Sequence, residues 1–155
     1  MQQTRDEQKL NDTLRRIFNM IEVHNQEFVR ERVMLDYYDV VTKDYPHYFH
    51  LLMGYVETHL TILSTPQLAS YCRRVSEDCK DREVIDMSLM WISMVLEKEQ
   101  HNKDYYEISI DLLLKAGHYE EARETGLRMV EMCKDVISNP EQIIEMLEKR
   151  INSRP

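Results

Sequence analysis

The sequence predicts an all-α fold of seven to eight helices, packed as antiparallel helical hairpins in a superhelical array or a compact helical bundle. Three observations carry this. The 155 residues hold only three Gly and four Pro, so turns are few and regular elements long. Apolar residues recur at spacings of three and four along most of the chain. Val and Thr form no alternating runs of the strand type. With 43% hydrophobic and 31% charged residues, the composition is that of a folded globular domain rather than a disordered chain. The length suits one domain over 1–155. We divide it into a helical N-terminal region (1–44), apolar central helices (45–100) and a C-terminal hairpin with a last helix (101–155).

The N-terminal region contains neither Gly nor Pro. Leu10, Leu14, Ile17, Ile21, Phe28, Leu35 and Tyr38 keep a 4-3 spacing if His24 and Glu31 fill the gaps. This fits one long helix, or two helices broken near His24–Gln26. Such a face is either a coiled-coil seam or a helix face against a core. Asp44-Tyr45-Pro46 ends the region, because a residue before Pro avoids the helical well. Pro46 then sits at the start of a helix over about 47–63.

Ser64-Thr65-Pro66 is the next start signal, with a hydroxyl cap and Pro in the first turn. Leu68, Tyr71, Cys72, Val75 and Cys79 follow at helical spacing. Asp81 is the expected cap of a helix whose apolar residues, Val84 to Leu96, cover nearly every side. Such a helix is expected to be buried all round. It is too short to span a bilayer and contains Asp86. A helix over 102–116 ends at Gly117, which suits a left-handed terminus. Another runs over 119–137, with Glu120 and Glu121 at its positive end. Asn139-Pro140 opens the last helix, with Ile143, Ile144, Leu147 and Ile151 on its inner face.

The stretch Lys115 to Ala122, and more widely Tyr105 to Lys134, resembles a tetratricopeptide (TPR) repeat. Gly117, Tyr119 and Ala122 stand where that motif places Gly, Tyr and Ala at its turn. Tyr106 stands where the first helix carries an aromatic. Ile110 replaces the small residue of the first helix, Gly126 replaces the aromatic of the second, and no Pro follows. The resemblance covers one repeat, which implies that its neighbours are degenerate helical pairs. There is also an internal echo at an offset of 54. Leu68, Val75 and Cys79-Lys80-Asp81 align with Ala122, Met129 and Cys133-Lys134-Asp135.

The net charge is −8, and acids outnumber bases in both 1–44 and 82–155. Arg15-Arg16 and Arg73-Arg74 read as solvated helix faces. Without clustered cations, neither nucleic acid nor an anionic membrane is an expected partner. Cys72, Cys79 and Cys133 form no CxxC pair, and the N-terminus shows no apolar leader. We therefore expect a reducing, cytoplasmic setting. His47 and His50, with Glu57 and His59 further along, are the best metal candidates, but a fourth ligand is missing and the pair starts its helix, so the expected reading is surface histidines. The cysteines have no companion pattern of a nucleophilic triad, and no phosphate loop, GxSxG or HExxH occurs. No enzyme activity, metal or cofactor is expected.

One feature is less generic. From Tyr45 to Cys72 the only formally charged residue is Glu57, and the stretch holds Tyr45, Tyr48, Phe49, Tyr55 and Tyr71. Aromatics with few charges describe either an interface centre or a buried hairpin. Met87, Met90 and Met94 carry the same two readings, an adaptable partner surface or core filling. The expected function is a protein interaction module: an adaptor, co-chaperone or regulatory subunit holding a peptide or helix in an aromatic groove. Tyr48, Phe49, Tyr55 and Tyr71 are the expected contact set, with Asn102 and Tyr106 bonding a peptide backbone. Two alternatives stand beside it. One is self-association, as a homodimer, through the N-terminal heptad face. The other is a helical domain sensing a small ligand or signalling peptide.

Overall fold

The computed structural model describes residues 5–18 and 26–153. Ile21, His24 and the chain just before Gln26, where the N-terminal break was expected, lie outside the described residues. Among the described residues there are eight α-helices and no strand. They are α1 (Arg5–Phe18), α2 (Gln26–Asp36), α3 (Tyr45–His59), α4 (Thr65–Asp78), α5 (Arg82–Lys98), α6 (Lys103–Ala116), α7 (Tyr119–Met132) and α8 (Pro140–Asn152). The chain divides into two compact units, Met1–His59 and Leu60–Pro155. The division falls inside the stretch grouped above as 45–100.

In the first unit α2 runs on into a π-helical segment, Tyr37–Thr42. Lys43 then takes the left-handed conformation, with φ of 53°. That reversal lets the Asp44 amide donate to the Tyr38 carbonyl at 3.0 Å. Asp44 also receives the backbone N–H of His47, so its carboxylate sits at the positive start of α3. α3 packs on α2. Phe28 of α2 lies 5.7 Å from the Tyr55 ring and 5.0 Å from the His59 ring, between centroids. His59 Nε2 meets Glu31 Oε2 at 2.7 Å. α3 ends at His59, short of the expected Leu63; Ile62, past its end, is exposed.

In the second unit four of the five helices start at a side-chain cap, and α7 starts at His118 without one. Ser64 and Gln67 form a reciprocal capping box. Asp81 accepts from the Glu83 amide, Asn102 from the Asp104 amide and Asn139 from the Gln142 amide. Gly117, with φ of 80°, turns α6 into α7, and the His118 amide donates back to the Leu113 carbonyl at 2.9 Å. A side chain at that φ would be strained.

Each helix from α4 to α8 packs on the next, and α4 also packs on α6. Contact with both the next helix and the next but one is the pattern of a helical array. The caps keep time with it. Asn102 lies 38 residues after Ser64, Asn139 lies 37 after Asn102, and His118 lies 37 after Asp81. The echo at offset 54 instead pairs α4 with α7. These have equal lengths and a Cys at each C-cap, but different neighbours. The packing follows the shorter spacing.

The core of α6, α7 and α8 gathers Tyr106, Ile110, Leu114, Ala122, Met129, Leu147 and Ile151. A fully buried residue such as Leu114 contributes about 1.5–3 kcal/mol through the apolar area it withdraws from water. Two expectations are corrected. α5 is not buried on all sides: Met90 is 60% exposed, because α4 and α6 cover only part of its circumference. α7 ends at Met132, not Ile137. The apolar spacing continues, but Val136 and Ile137 both donate to the Cys133 carbonyl in a separate turn, and Val136 is exposed.

Candidate functional site

The residues expected to contact a partner lie in the interior. Tyr48 is 4% exposed, Phe49 5%, Tyr55 0%, Tyr71 7% and Tyr106 1%. Tyr48 and Phe49 pack edge to face at 5.1 Å. Rings this deep offer no surface to a peptide unless the core opens. The charge-poor stretch from Tyr45 to Cys72 thus belongs with burial within the chain. Asn102 spends its side-chain oxygen on the α6 cap. Gly117 and Ala122 serve the turn as expected, and Ala122 is fully buried in the α6–α7–α8 core. Tyr119 is half-buried against that same core.

A Cβ on Gly126 would lie 2.5 Å from Leu147 Cδ2, so α8 fills the space that an aromatic would take.

Two of the candidate histidines are engaged by carboxylates, while His50 is exposed. His47 Nδ1 sits 2.7 Å from Asp44 Oδ2, and His59 pairs with Glu31. Among the described residues no three of His, Cys, Asp and Glu converge as metal ligands would. Burial pushes the Cys72 thiol up to about 12, and its Sγ donates to the Ser88 carbonyl at 3.6 Å. Cys79 and Cys133 are also buried, and burial raises both thiols. Thiols held protonated in this way are poor nucleophiles. Among the described residues no helix is long and apolar enough to cross a membrane.

What the second unit does present is a cleft of about 400 Å³ whose walls come from α4, α6 and α8. Ile108, Ile110, Met129 and Leu147 are buried beneath it. Met146 stands at its edge, 57% exposed. The walls are charged in register. Lys103 reaches Glu107 at 2.6 Å along α6, and Arg150 of α8 reaches Asp111 of α6 at 2.6 Å. The hydrogen bond from Lys103 to Glu107 holds the lysine above its ordinary pKa. Arg73 and Glu77 line the α4 side. An apolar floor between ordered charges can seat a side chain and orient the backbone that carries it.

These residues were legible only in part. Lys103, Glu107 and Asp111 repeat every fourth residue on a helix rich in apolar side chains, and that charged stripe is the signal the aromatics obscured. Nothing local joins it to Arg73 or Arg150, which lie on other helices. Comparison with protein-family models, curated proteins and solved structures finds no match to this chain.

Proposed function

We propose that the chain is a protein interaction module built of TPR-like helical hairpins, and that it holds a peptide or helix of a partner in the cleft walled by α4, α6 and α8. The observation that carries this reading is the alternation of the second unit. Helices that recur at 37–38 residues bring α4, α6 and α8 to one face, and that face has an apolar floor and paired charges. The groove is aliphatic and charged rather than aromatic. Adaptor, co-chaperone and regulatory subunit all use such a face.

The test compares capture from native extract by the intact chain and by an Arg73→Glu/Met146→Asp variant, read by mass spectrometry. Both side chains are exposed, so the variant should keep its helicity and melting temperature. A partner held by the intact chain and lost by the variant supports the cleft. Equal capture by both sinks its placement.

A further inference from the structure

α6 presents a second set of side chains on its other face. Ser109 and Leu113, one turn apart, form the floor of a shallow groove of about 580 Å³ walled by α5 and α7. Leu113 is 6% exposed and Ser109 7%. The Ser109 hydroxyl makes no hydrogen bond within the protein among the described residues; the residue is 7% exposed and lines the groove, so its oxygen faces the groove's solvent rather than being sealed in the core. A groove hydroxyl with no partner in the protein is free to donate to or accept from a ligand. The α5 wall is apolar, with Leu89 and the well-exposed Met90. The α7 wall is acidic, with Glu121 and Glu124.

The charges are not equally available. Arg82 bridges to Asp86, donates to the Ala116 carbonyl and contacts His118. His118 in turn meets Glu121 at 3.3 Å. Glu124 alone of these has no ion-pair partner among the described residues. The groove therefore combines a carboxylate outside any ion pair, a hydroxyl free to bond a ligand and an exposed apolar side chain, Met90. An acidic wall of this kind repels nucleic acid and anionic lipid.

We propose that the α5–α7 groove seats a basic segment of a partner protein. An apolar side chain of that segment covers Leu89 and Met90. A neighbouring lysine or arginine lays its stem along the groove and brings its donors to the Ser109 hydroxyl and the Glu124 carboxylate. This site is distinct from the cleft and does not rest on it, because the two use opposite faces of α6.

The probe is a fluorescein-labelled amphipathic lysine–leucine peptide, titrated with the whole chain and read by anisotropy. Saturable binding is expected. It should weaken about tenfold in Glu124→Gln, where an ion pair is lost. It should weaken by a smaller but measurable factor in Ser109→Ala, and remain unchanged in Glu141→Gln, an exposed acid on α8. Melting curves should show all three variants folded. A peptide with serine in place of leucine should bind more weakly. The proposal is overturned by absent binding, by equal binding of the serine peptide, or by equal losses in Glu124→Gln and Glu141→Gln, which would mark general attraction to an acidic protein. It is also overturned if mass in solution rises with concentration and Glu124→Gln abolishes the rise, since a second copy would then be the occupant.

Discussion

Arg123 of α7 forks onto Glu148 of α8, with Nε 2.7 Å from Oε1 and Nη2 3.0 Å from Oε2. A planar guanidinium and a planar carboxylate meeting edge to edge fix orientation as well as distance. Arg123 also bonds Glu120 within its own helix, which holds the fork in place. The pair thus sets how the last helix lies on α7. Its hydrogen bonds hold the Glu148 carboxyl below its ordinary pKa. A lowered pKa means that the contribution is complete above the usual glutamate range, about 4.3, and disappears as pH falls through the folded value. Glu148→Gln should therefore lower the melting temperature at neutral pH, and the gap from the intact chain should close in acid. A gap that persists unchanged in acid would show that the ion pair is not its source.

Gly126 and Leu147 make a second contact between the same helices. Gly126→Val puts a branched side chain where Leu147 Cδ2 now lies. Overpacking a filled core costs about 1–3 kcal/mol. Denaturant unfolding should show a loss in that range, and amide exchange in α8 should accelerate. Unchanged stability would mean that Leu147 swings aside at no cost.

Tyr55 distinguishes a core ring from a contact ring. It is fully buried between Phe28 and His59. Tyr55→Ala should cost about 3–5 kcal/mol, as removal of a large buried aromatic does. Equilibrium unfolding measures it. A fully stable Tyr55→Ala protein would return this ring to the list of surface contacts.

The three thiols should resist modification while the chain is folded. Cys72 stays protonated because burial lifts its pKa to about 12, and Cys79 and Cys133 are 1% and 2% exposed. A disulfide reagent at mildly alkaline pH should react slowly with the native protein and with three equivalents in denaturant. Fast reaction of Cys72 in the native state would contradict its burial.

Much of the architecture is written in adjacent residues. Ser64 with Gln67, Asp81, Asn102, Gly117 and Asn139 each act within a few positions of themselves, so their caps and turns can be read directly from the chain. Helix ends without such chemistry were read less well. α7 stops at Met132 although the apolar spacing runs on to Ile137, since periodicity reports a face and not a terminus.

The candidate site was the least legible part. The aromatic, charge-poor stretch from Tyr45 to Cys72 is equally consistent with an interface and with an interior, because both exclude charge for the same reason, the cost of desolvating it. Which one applies depends on partners remote in sequence: Phe28 for Tyr55, for example. The same holds for the cleft and the groove. Asp111 and Arg150 are 39 residues apart, and Ser109 lies between walls from α5 and α7. Local chemistry therefore settles where helices begin and turn, whereas long-range packing settles which of their faces meet water. Burial is a property of a residue's neighbours, and in an array those neighbours come from helices one and two steps along the chain.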